Sequence, residues 1–133
     1  MRTSSRHALQ LTGVGAAGLL AVSLHARPSI AVNDVAAGQA LYQAKCTGCH
    51  SVDANRIGPR HRDVVGRKVA SLPGYSYSPA LKKLGGVWTP ARLDQWLSGT
   101  QKMAPGSRMY IQIDDPNQRR RLTAYLQSVS KPH

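Results

Sequence analysis

Five consecutive residues, Cys46-Thr47-Gly48-Cys49-His50, leave this 133-residue chain few ways to fold. They contain its only two cysteines. Two thiols cannot staple a disulfide scaffold, so their spacing decides what they do. A thioredoxin-like dithiol expects a βαβ setting, yet the sequence shows no alternating strand pattern. Zinc needs further donors at a regular spacing, and nearby His61 fits no common finger. The histidine directly after the second cysteine makes the run the attachment signature of a c-type haem. Two thiols have to reach the two vinyl groups on one porphyrin edge while the adjoining imidazole reaches iron from one face. A five-residue run with small Gly48 in its middle meets both demands.

Composition agrees with a bound group inside. The chain has no Phe, and aromatic residues make up only 5% of it. A single domain of this length can bury a modest core, but here the usual rings are missing and other apolar bulk must replace them. Charge is lopsided, with 18 Lys and Arg against 6 acids, all of them Asp, for a net +12. Such a balance excludes an acidic solubiliser and predicts negatively charged partners.

Residues 1–31 read as a secretory leader. Arg2 and Arg6 form a basic start, Leu11 to Leu24 is a small and apolar run, and Ser29-Ile30-Ala31 offers small residues for a peptidase. The run is shorter than the roughly 20 apolar residues a bilayer span needs, and Thr12, Gly13, Gly15 and Gly18 dilute it. Cleavage is therefore expected, with a retained anchor over residues 8–24 as the alternative. The leader carries three Arg and no acid, so residues 32–133 keep a charge of twelve less three, or +9. Export places both thiols in an oxidising compartment, the periplasm, where covalent attachment settles their fate.

The rest reads as all-α. Asp34 is the expected N-cap of a first helix carrying Val35, Gly38, Leu41, Tyr42 and Lys45 at helical spacing. Ser78-Pro79, Thr89-Pro90 and Asp115-Pro116 each pair a side-chain cap with proline at the first helical position, where its missing N–H costs nothing. The first two of these helices should stop at Gly85-Gly86 and Gly99. The last should run toward Pro132 with Leu122, Tyr125, Leu126 and Val129 as one stripe, and its Arg119-Arg120-Arg121 as a solvated face. Long loops over residues 56–77 and 99–114 imply a chain wrapped around something. Opposite His50, the iron could take Met103, Met109, His61 or His133; a thioether raises the reduction potential relative to a second imidazole. Spacing does not separate the two methionines.

From Asp34 to Ser130 the chain resembles the class I c-type cytochromes, the mitochondrial and bacterial cytochrome c group. Gly38 and Tyr42 stand where that family packs its first helix against its last. Gly58-Pro59 matches the pair whose proline carbonyl holds the proximal imidazole. Gly66-Arg67-Lys68 and Pro73-Gly74-Tyr75-Ser76-Tyr77 look like the stretch that buries the haem propionates, which implies that Arg67, Tyr77 and Trp88 hold their oxygens. Pro105-Gly106-Ser107-Arg108-Met109 is similar to the family's Pro-Gly-Thr-Lys-Met, and this likeness chooses Met109. Three departures stand out. Arg60-His61-Arg62-Asp63 replaces the usual Asn-Leu-His-Gly, and Tyr110-Ile111-Gln112 replaces Phe-Ala-Gly. Leu81 and Trp96 stand where some members carry Asn and Tyr in a hydrogen-bond network behind the methionine.

The resemblance implies a small cytochrome c fold over residues 32–133, with short helices and long loops around one covalently bound haem c. It implies a soluble, monomeric carrier of single electrons rather than an enzyme, since His50 and Met109 leave iron no open position. Lys45, Lys102 and Arg108 would ring the exposed porphyrin edge and meet acidic surfaces of redox proteins in brief encounters. A quinol-oxidising complex, an oxidase, a reaction centre or a periplasmic oxidoreductase would all serve as partners, with at most peripheral membrane contact. The alternative is a dedicated cytochrome subunit of one dehydrogenase or oxidase complex. Nucleic-acid binding is disfavoured by export and by the lack of a recognition motif.

Overall fold

Three helices begin where a side-chain cap meets proline. In the computed structural model, which describes residues 32–131, Ser78 Oγ accepts from the Leu81 N–H ahead of a helix at Pro79–Leu84. Thr89 Oγ1 accepts from Arg92 ahead of one at Pro90–Ser98, and Asp115 Oδ1 from Asn117 ahead of one at Pro116–Ser128. With the first helix, Val32–Lys45, and a short turn at Thr100–Met103, these number α1 to α5 in chain order: α1 32–45, α2 79–84, α3 90–98, α4 100–103, α5 116–128. The leader over 1–31, the anchor alternative over 8–24 and His133 lie outside the described residues. Among those described, no helix is long and apolar enough to cross a membrane.

Two helix boundaries differ from expectation. Asp34 lies within the first turn of α1 rather than capping it. Its carboxylate is taken by Arg120 and Arg121 of α5, so a contact distant in sequence has replaced the local cap. The second difference is α4, which sits inside a stretch read as loop. Four residues are too few to show periodicity, and tertiary hydrogen bonds from Thr100 hold this turn in place.

The frame is α1 crossed on α5, with α3 also against α5. A Cβ at Gly38 would overlap the Arg121 carbonyl, which explains a mid-helix glycine that otherwise lowers helix stability. Tyr42 packs on Tyr125 at 5.1 Å between ring centroids, and Leu122 is only 1% exposed. The arginine run is no merely solvated face. Besides the Asp34 pairs, Arg119 binds Asp94 of α3 at 2.9 Å and the carbonyls of Ile113 and Asp114 at 2.8 Å each. Residues 46–78 carry no helix and wrap the open side of the frame. Among the described residues, their one β-bridge joins Lys68 to Val87.

Candidate functional site

The end of α1 curls on through one further turn. The Cys49 and His50 amides both donate to the Cys46 carbonyl, at 3.1 and 2.8 Å. This turn aims Cys46, Cys49 and His50 into a cavity of about 470 Å³. Both thiols are free. Cys46 is buried, which pushes its thiol up to about 11 despite the opposing charge of Lys45; Cys49 is exposed.

His50 is oriented from behind. Its Nδ1 lies 2.8 Å from the Pro59 carbonyl. A carbonyl can only accept, so Nδ1 carries the proton and Nε2 keeps its lone pair for a metal. Burial lowers its pKa, the Pro59 bond opposing, and so favours the neutral ligating form. A Cβ at Gly58 would strike this ring; the Gly-Pro pair thus makes room for the imidazole and then holds it. His61 lies stacked on the same ring, its centroid 4.2 Å away and the planes 20° apart. Ligands on opposite faces of an iron meet end to end, whereas these rings lie face to face. His61 is therefore a stacked neighbour of His50 and does not face it end to end.

Met109 also lines this cavity. Met103 does not line the cavity; it sits on α4 and, like Met109, packs against the core cluster. The two methionines that spacing left equivalent are thus separated by tertiary structure. The Met109 carbonyl accepts from Thr100 Oγ1 at 2.6 Å, Gln101 Nε2 at 2.8 Å and Ser107 Oγ at 3.2 Å. Sequence reading missed these residues, because a carbonyl partner leaves no trace in residue types.

Arg67, Tyr77 and Trp88 all line the same cavity. Three backbone bonds draw the Arg67 and Trp88 segments together: Gly66 to Trp88 O, Trp88 to Arg67 O and Val69 to Gly86 O, at 2.8–2.9 Å. The Arg67 guanidinium also donates to the Arg60 and Arg62 carbonyls. Burial lowers its pKa and raises that of Tyr77, whose phenol the Arg67 charge pulls the other way. Trp88 packs on Trp96 at 5.5 Å, and Leu81 also lines the cavity.

The charged 60–63 stretch is absorbed locally. Arg62 pairs with Asp53 at 2.7 Å, His61 turns inward, and Asp63 takes the left-handed conformation at φ 57° that the family's glycine would favour and Asp tolerates. At the rim, Lys45 and Arg108 line the cavity and are exposed. Lys102 is exposed but borders a shallow neighbouring depression. Ile57, which the sequence did not single out, and Tyr110, from the departing stretch after Met109, also line the cavity and are 77% and 80% exposed.

These residues fit a covalently held haem. Two free thiols, an imidazole with an unprotonated Nε2 and a thioether converge on one cavity, with Arg67 and Tyr77 as polar partners for carboxylates. Comparison with known proteins agrees. Residues 35–130 match the family model described as Cytochrome c. Similar proteins include cytochrome c2 of Agrobacterium tumefaciens, 39% identical over 74% of this chain and 96% of its own length. Cytochrome c2 of Rhodopila globiformis is 38% identical over 72% and 93%. Among solved structures, cytochrome cH from Methylobacterium extorquens superposes with a TM-score of 0.68 at 40% identity, over 71% of this chain and 98% of that one. The chain accordingly belongs to the cytochrome c family, as a class I c-type cytochrome with covalently bound haem that carries electrons and is not an enzyme.

Proposed function

We propose that the chain shuttles single electrons in the periplasm, with His50 and Met109 as the two axial ligands of its haem iron. When bound, the haem supplies one-electron exchange between ferric and ferrous iron. The observation that carries the reading is the placement of Met109, and not Met103, in the cavity that holds His50. Pro59 keeps the imidazole in its ligating tautomer. Arg67, Tyr77 and Trp88 would hold the propionate carboxylates through N–H and O–H donors. A thioether ligand and apolar burial both favour the ferrous state and give a positive potential.

Export through the leader over 1–31 is part of this proposal, as is docking on acidic partner surfaces. Lys45 and Arg108 at the rim give such encounters speed without tight binding. Partners of this kind are a quinol-oxidising complex, an oxidase, a reaction centre or a periplasmic oxidoreductase. A second reading, a fixed subunit of one enzyme complex, draws on exposed Ile57 and Tyr110 as an apolar contact. Rising ionic strength separates them: a shuttle is released from its partner, a subunit is retained.

The ligation is tested by replacement. Met109→Ala should abolish the sulfur-to-iron charge-transfer band of the oxidised protein and lower its potential, while Met103→Ala leaves both in place. The reverse pattern overturns the assignment.

A further inference from the structure

The loop that bears Met109 is gripped by two adjacent side chains of α4. Thr100, 0% exposed, donates through Oγ1 to the Met109 carbonyl at 2.6 Å and accepts from the Ile111 amide at 3.3 Å. Its own amide donates to the Ile111 carbonyl at 3.2 Å. Gln101 Nε2 shares its two protons among the Met109 carbonyl, the Ser107 carbonyl and Ser107 Oγ, at 2.8–2.9 Å. Its Oε1 accepts from the Gly106 amide at 3.1 Å. Two adjacent side chains therefore hold the loop from Gly106 to Ile111 at both ends and at the methionine itself.

We propose that Thr100 and Gln101 are positioning residues that clamp the Met109 backbone and keep its sulfur on the iron. The inference rests on Met109 being the second axial ligand. Of the two cavity-lining positions where some relatives carry Asn and Tyr, Leu81 has no polar atom and Trp96 packs on Trp88. The restraint is applied through the backbone instead, at the carbonyl of the ligating residue. A loop held this way opens seldom, and an outside ligand can bind iron only in the open fraction; its apparent affinity scales with that fraction. Loosening the clamp should therefore raise the affinity for a competitor without changing the competitor's own bond to iron.

The test uses the haem-loaded ferric protein and imidazole as the competitor, titrated against loss of the sulfur-to-iron charge-transfer band. Thr100→Val keeps shape and removes the hydroxyl. Gln101→Leu removes the carboxamide at a half-buried position. Each should raise the apparent imidazole affinity about tenfold, the loss of one or two buried hydrogen bonds, and Thr100→Ser should restore it to within about twofold. Amide hydrogen exchange supplies a readout independent of the sulfur. It should quicken at Ile111 in Thr100→Val and at Gly106 in Gln101→Leu, with α1 and α5 still protected. Unchanged imidazole affinity in both variants overturns the clamp, and so does equal loss of protection in α1 and α5, which marks general loosening. A wild-type protein with no charge-transfer band removes the Met109 ligation, while exchange at Gly106 and Ile111 still decides whether the clamp exists.

Discussion

The imidazole of His61 is stacked on that of His50 at 4.2 Å between centroids, while its Nδ1 shares a hydrogen bond of 3.1 Å with the Tyr42 hydroxyl. His61 thus links Tyr42 of the first helix to His50. Tyr42 is 3% exposed, so removing one partner strands a buried polar group. His61→Leu should cost about 2 kcal/mol in the Tyr42 background and clearly less in Tyr42→Phe, a coupling of about 1 kcal/mol. A double-mutant cycle by chemical denaturation of the haem-loaded protein measures it; strictly additive losses would show that the bond contributes nothing.

Tyr42 also sets an alkaline dependence. Burial, helped by neighbouring Cys46 and Tyr125, raises its phenol above the ordinary range. The unfolded chain releases this proton near pH 10, whereas the folded chain keeps it, so the unfolded state gains ground as pH rises above about 10. Stability present below that pH should fall above it, and Tyr42→Phe should flatten the fall in denaturation midpoints measured between pH 9 and 11, bracketing the ordinary tyrosine value of about 10.

Gly38 and Gly48 should respond oppositely to alanine. A Cβ at Gly38 meets the Arg121 backbone and the Tyr125 Cβ, neither of which can swing away, while one at Gly48 meets nothing within 4 Å. Gly38→Ala should destabilise by at least about 2 kcal/mol, overpacking outweighing the gain in helix propensity. Gly48→Ala should stay within about 0.5 kcal/mol of wild type. Equal effects would mean that the α1–α5 crossing is looser than described.

Within the arginine run, rank should follow burial. The Arg119 side chain is 14% exposed and satisfies Asp94 and two carbonyls, so Arg119→Ala should cost about 2 kcal/mol. Arg120, more than half exposed on Asp34, should cost under about 1 kcal/mol. Thermal or urea unfolding of the two variants settles the order.

Attachment can be read by mass. Exported from cells able to mature c-type cytochromes, the wild-type chain should carry one haem through two thioethers. Cys46→Ser or Cys49→Ser should leave haem on a single bond or lose it, with a drop in the yield of coloured protein. Full, doubly linked incorporation in either variant would contradict the roles of both thiols.

Much of this molecule was legible in one dimension because the signals are short. Cys46, Cys49 and His50 lie within five residues, and the caps at Ser78, Thr89 and Asp115 act on amides two or three residues ahead. Pro59 and Met109 came from motifs of similarly short reach. The first-turn role of Asp34 escaped, because its partners lie 86 and 87 residues further on; so did the buried use of Arg119 and the turn of α4. His61 fits no local pattern at all, since its surroundings are Tyr42 and His50 from other segments.

Residue order alone therefore determined the chemistry of attachment, the helix starts and the basic charge, all of which depend on neighbours along the chain. Tertiary structure decided on which side His61 lies and what grips the Met109 loop. Those outcomes depend on how distant segments share a limited volume and satisfy one another's buried polar groups, and no local spacing encodes that.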